Sequence, residues 1–92
     1  MLNRALHGFF MAKKINGTYY LSRAEAVDYL LFAYPIKWCV SRWSRREVSF
    51  SFESKKRKRE RVLVNAYFVK DTKNAWVKQA ELDYEMCKCT SE

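Results

Sequence analysis

Glycine and proline are scarce in this chain: two Gly and one Pro in 92 residues. That scarcity excludes flexible linkers, low-complexity tracts and a Gly-rich phosphate-cradling loop. Long apolar runs are missing too. The longest, Tyr29 to Tyr34, falls far short of the ~20 residues that span a bilayer. Histidine occurs once, as His7, so imidazole acid–base chemistry has little to build on. The three cysteines, Cys39, Cys87 and Cys89, are an odd number and form no disulfide framework. Residues 1–12 carry Arg4 but no continuous apolar core of signal-peptide length. Together these point to a reducing, cytoplasmic setting and to no membrane partner.

Catalytic and metal-binding patterns are equally thin. No Ser nucleophile motif or paired-carboxylate pattern occurs. Cys39, Cys87, Cys89 and His7 amount to four ligand-capable side chains, but Cys-x-Cys is a weak zinc signal, and three unrelated thiols are the commoner meaning. Glu81, Asp83 and Glu85 at alternate positions suit the polar face of an edge strand better than a Mg²⁺ site. The expectation is a non-enzyme with no catalytic residues, no metal and no cofactor.

What the chain does contain is apolar residues, aromatics and positive charge. Hydrophobic residues make up 49%, enough for one modest core in a single domain. Met11-Ala12-Lys13-Lys14 reads like an alternative beginning, which makes residues 1–10 an N-terminal appendage to that domain.

The patterning predicts a small α+β domain. Leu2, Ala5, Leu6 and Phe9 have helical spacing, weakened by Gly8. Asn16-Gly17 between Phe10–Ile15 and Thr18–Leu21 is a hairpin signal, because both residues tolerate positive φ. Ser22 and Glu25 make a capping box that starts a helix over 23–33, and Pro35 ends it. Val27, Leu30, Leu31 and Tyr34 are the expected buried stripe. From Lys37 onward the period becomes two, with Val48-Ser49-Phe50-Ser51-Phe52 a strand buried on one face. Arg61–Val69 reads as a third, central strand, and Asp71-Thr72-Lys73-Asn74 as a turn. Leu82, Tyr84 and Met86 alternate with acids and predict a last strand, with a helix through Trp76, Val77, Ala80 and Tyr84 as the alternative. The sum is an antiparallel meander with one main helix on one face and an N-terminal hairpin.

Charge supplies the functional signal. Residues 1–36 carry net +2, residues 37–61 net +7, and residues 62–92 net −1. The surplus therefore lies on two strands and their connections. The candidate nucleic-acid-binding residues are Arg42, Trp43, Arg45, Arg46, Lys55, Lys56, Arg57, Lys58, Arg59 and Arg61. Five adjacent cations at 55–59 repel one another, and folding alone offers no reason to keep them. The run also matches a minimal nuclear-import pattern, which arises often by chance in basic chains. Turn 44–46 and loop 55–60 flank one strand, so they lie about 25 Å apart and form a basic stripe. Aromatics interleave with the cations. Trp38, Phe50 and Phe52 are expected in the core under the helix, with Trp43 on the opposite face, free to stack on an unpaired base.

These features predict a non-catalytic nucleic-acid-binding protein, with RNA favoured over DNA. The 23–33 helix carries Glu25 and Asp28 and suits a DNA major groove poorly. The alternative is a small phage-type inhibitor that docks its basic surface on an acidic or nucleic-acid-binding site of a host protein.

Overall fold

The computed structural model describes residues 12–55, 58–69 and 73–90. The described residues form an α+β fold, with two antiparallel sheets and two helices. In order come β1 (Lys13–Ile15), β2 (Thr18–Ser22), α1 (Arg23–Ala33), β3 (Ile36–Ser44), β4 (Glu47–Ser54), β5 (Glu60–Asn65), β6 (Tyr67–Phe68), β7 (Ala75–Lys78) and α2 (Gln79–Thr90). One sheet has the order β1-β2-β7-β6 and the other β3-β4-β5.

Local chemistry accounts for the first half. Asn16 (φ 51°) and Gly17 (φ 82°) both take the left-handed conformation that closes the β1–β2 hairpin. At the start of α1 the Ser22 hydroxyl accepts from the Glu25 N–H at 3.3 Å, and the Glu25 carboxylate accepts from the Ser22 N–H at 3.0 Å. Two otherwise orphaned backbone donors are thereby satisfied. Tyr34, extended before Pro35, ends the helix with its N–H donated to the Leu30 carbonyl.

The buried line on α1 is Ala26, Tyr29 and Leu30; Val27 and Tyr34 are half-buried and Leu31 is exposed. This departs from the expected Val27–Leu30–Leu31–Tyr34 stripe. The helix is apolar over several faces, so spacing alone leaves its rotation open, and its two tyrosines decide it. Both reach Asp83 on α2: Tyr29 donates to the two carboxylate oxygens at 2.7 and 2.9 Å, and Tyr34 to Oδ1 at 2.7 Å. Burial, reinforced by the bond to the Asp83 carboxylate and by its charge, raises both phenols well above their ordinary value.

The meander β3-β4-β5 follows the period-two pattern. Val48, Phe50 and Phe52 of β4 and Val62 and Val64 of β5 point inward, packed with Leu21, Leu30, Val77, Leu82 and Met86. Each of these large apolar side chains contributes roughly 1.5–3 kcal/mol by leaving water. The central strand is β4, not the Arg61–Val69 segment. That segment divides at Ala66, whose N–H is donated to the Arg46 carbonyl at 2.8 Å. On one side of Ala66 the chain pairs with β4, and on the other with β7.

The C-terminal segment corrects the strand expected through Leu82, Tyr84 and Met86. Only Ala75–Lys78 is strand, and Gln79–Thr90 is helical. Gln, Ala, Glu, Leu, Met and Lys dominate there, all good helix formers, and no β-branched residue stands among 79–89. Leu82 and Met86, one helical turn apart, enter the core while Tyr84 is 64% exposed. The expected helix near residues 2–8 lies outside the described residues, as does part of the expected 71–74 turn.

Candidate nucleic-acid interface

Strand register decides which residues share a face. A two-residue connection, Arg45-Arg46, sets Ser44 opposite Glu47, and from there Trp43 meets Val48, Ser41 meets Phe50 and Cys39 meets Phe52. Trp43, Ser41 and Cys39 therefore belong to the inner face, where Arg23 of α1 donates to the Ser41 hydroxyl at 3.2 Å. Burial pushes the Cys39 thiol up to about 11. Trp38, Val40 and Arg42 point to the outer face, and across β4 and β5 they are joined there by Glu53, Ser51, Ser49, Arg61 and Leu63.

This reverses the expected placement of the two tryptophans. Trp38 is not core: it is 37% exposed on the open face, and its indole N–H is donated to Glu53 Oε1 at 2.7 Å. Trp43 lies on the side of the helix. Its N–H is donated to the Arg45 carbonyl at 3.1 Å, and its ring meets Phe68 edge to face at 5.8 Å. The connection needs that support, since Arg45 sits at φ 51°, a conformation disfavoured for side chains other than glycine. Phe50 and Phe52 are buried as expected.

No described residue of the outer face is fully buried, and both helices pack against the other side. Across it run rows of three: Trp38–Glu53, then Val40–Ser51–Arg61, then Arg42–Ser49–Leu63, then Ser44–Glu47–Asn65. The middle of the sheet is thus floored by two serines between larger side chains. Arg42 and Arg61 stand on opposite flanking strands in adjacent rows. They connect the exposed Arg45 and Arg46 at one end of β4 to the exposed Lys55, Lys58 and Arg59 at the other. Eight residues of β4 separate those ends, roughly 25 Å of strand. Lys56 and Arg57 lie outside the described residues.

Lys78–Glu81 at 3.9 Å and Lys88–Glu85 at 3.4 Å form ion pairs on and beside α2, away from this face. Two carboxylates do share the face. Glu53 is held by the Trp38 indole, and Glu47 lies at the far margin. Trp38, Ser51, Phe52, Arg59, Glu60 and Arg61 line a cleft of about 270 Å³, so one carboxylate stands among its two guanidinium groups.

A larger cleft of about 450 Å³ between β5 and α2 has the opposite chemistry, with Glu47, Glu81 and Glu85 around Tyr84. The expected row Glu81–Asp83–Glu85 does not exist as a row. On α2, Asp83 turns to the tyrosines of α1, Glu81 accepts from the Tyr67 hydroxyl at 2.5 Å, and Glu85 lies beside Lys88. Among the described residues, no three metal-ligating side chains converge. Cys39 is buried, Cys87 exposed and Cys89 half-buried, and none of the three is in a disulfide. His7 lies outside the described residues. No helix among the described residues is long and apolar enough to cross a membrane. Comparison with protein-family models, curated protein sequences and solved structures finds no match for this chain.

Proposed function

We propose that this chain is a non-catalytic nucleic-acid-binding protein that holds RNA on the outer face of β3-β4-β5. One observation carries the reading. Arg42 and Arg61 rise from opposite edges of that face and bridge two basic ends, so the cations form a track rather than separate patches. A phosphodiester backbone laid along β4 meets Arg45 and Arg46, then Arg42, then Arg61, then Arg59, Lys58 and Lys55. Phosphate contacts of this kind set affinity without reading sequence. The sheet supplies the second requirement of an RNA surface, an aromatic side chain and small residues against which bases can lie.

The test is fluorescence anisotropy with a labelled single-stranded RNA over a range of salt. Neutralising about five phosphates gives a slope of log affinity against log salt near −3.5. Arg42→Gln with Arg61→Gln should weaken binding to all sequences alike and reduce that slope by about 1.4. A slope near zero, or an unchanged slope in the double variant, overturns the reading. Tight capture of an acidic protein with no measurable RNA affinity does the same.

A further inference from the structure

The track of cations alone does not fix where on the sheet a base lies. We propose that the cleft between Trp38 and the Arg59–Arg61 wall is a subsite for one unpaired nucleobase, inserted edge-on toward Ser51. The inference rests on the nucleic-acid reading and deepens it. It assigns the surface to single-stranded segments and makes Trp38 the stacking residue.

Strand spacing sets the width of the cleft. Trp38 stands on β3 in the row of Glu53, and Ser51 of β4 and Arg61 of β5 stand together in the next row, diagonally across from it. Neighbouring strands lie about 4.8 Å apart and successive rows about 6.6 Å apart, so the two walls rise from backbones roughly 12 Å apart on the diagonal. A base between two flat groups needs about 3.4 Å on each side, the separation of stacked bases along one strand. The floor residue must then be small. Ser51 is, and its hydroxyl can both donate and accept, so it meets any base edge. The Arg61 guanidinium is planar and weakly hydrated, suited to lie against a base on the other side.

The Trp38–Glu53 bond gives the wall its direction. Trp38 and Glu53 are cross-strand partners, and the 2.7 Å bond from the indole N–H ties the ring to β4. With its polar edge held by Glu53, the indole at the cleft has fewer orientations open to it. A ring fixed before binding loses less rotamer freedom on stacking. Trp43 is equally exposed, but it lies on the face away from the cleft, with its ring edge to face against Phe68. A duplex, whose bases are already stacked and paired, has none to offer the cleft.

The experiment compares wild type, Trp38→Ala, Trp38→Phe and Ser51→Leu for binding to a labelled single-stranded RNA and to an RNA duplex. A second single strand carries 2-aminopurine as a stacking reporter. Trp38→Ala should lose tenfold or more on the single strand, and Trp38→Phe should recover part of it. Ser51→Leu, which blocks the floor without changing charge, should lose a similar factor. Salt slopes and duplex affinity should be unchanged in all three, and 2-aminopurine should be quenched by wild type but not by Trp38→Ala. Unchanged single-strand affinity in Ser51→Leu, or an equal loss on duplex and single strand, overturns the base subsite while leaving the charge track intact. Wild type with no affinity for any RNA overturns both, so the two failures are distinguishable.

Discussion

Replacing Asp83 with alanine tests whether the contact between the helices governs the stability of the domain. Two phenols from α1 converge on that one carboxylate, Tyr29 on both oxygens and Tyr34 on Oδ1, all within 2.9 Å. Hydrogen bonds to an ionised group contribute about 1.5–3 kcal/mol each. Asp83 is only half-buried, so the lower figure applies, giving about 3 kcal/mol for the two donors. Alanine is a better helix former than aspartate by roughly 0.5 kcal/mol, which offsets part of the loss. The expected net destabilisation is about 2.5 kcal/mol, against a total near 5–14 kcal/mol for a chain of this length. At 4–8 °C per kcal/mol, Tm should fall by roughly 10–20 °C. Urea unfolding followed by tryptophan fluorescence, with m unchanged, measures the free energy. The cycle Tyr29→Phe, Asp83→Ala and the double variant isolates the pair term, expected at about 1–2 kcal/mol. If Asp83→Ala stays within 0.5 kcal/mol of wild type, or the two substitutions simply add, the carboxylate does not hold α1 to α2.

Stability should also fall in alkali. Folded Tyr29 and Tyr34 keep their protons above pH 10 while the unfolded chain gives them up, so the stabilisation is full below pH 10 and declines above it by up to about 1.4 kcal/mol per pH unit per tyrosine. Urea midpoints at pH 9–11.5 should show this decline, and the Tyr29→Phe, Tyr34→Phe double variant should remove most of it; equal slopes refute the assignment. Trp43→Ala takes away the bond to the Arg45 carbonyl and the edge contact with Phe68, and should cost about 1–2 kcal/mol in thermal unfolding. An unchanged Tm would show that Arg45 holds its left-handed conformation without the indole.

Elements whose ends are set by local chemistry were legible in the sequence. The Ser22–Glu25 box and Pro35 delimit α1, Asn16-Gly17 closes the hairpin, and the strict alternation around Phe50 marks β4. What depends on tertiary choice was not. Leu82 and Met86 fit a period of two as well as a helical turn of four, and helix-forming composition rather than periodicity separates the two. The faces of Trp38 and Trp43 turn on one register. With Ser44 opposite Glu47 across a two-residue connection, Trp43 must meet Val48. A tryptophan in a strand beside a helix invites a core assignment, but the register gives the inner face there to Cys39 and Ser41, opposite Phe52 and Phe50. The cations were visible in number, whereas the common face of Arg42 and Arg61 depends on the pairing of three strands.

The break at Ala66 bears on how this chain folds and fails. The meander is built from sequence neighbours, residues 36–65, and its hairpins close short loops. The other sheet must bring Ser22 against Trp76, more than fifty positions away. Closing such a span is entropically expensive for a free chain, and it shortens once the intervening strands have condensed. Because residues 60–68 are hydrogen-bonded into both sheets, the meander delivers Tyr67 and Phe68 to β7 as it forms, and β7 in turn carries β2. One continuous stretch of chain thereby ties the two sheets together, which favours their unfolding as one.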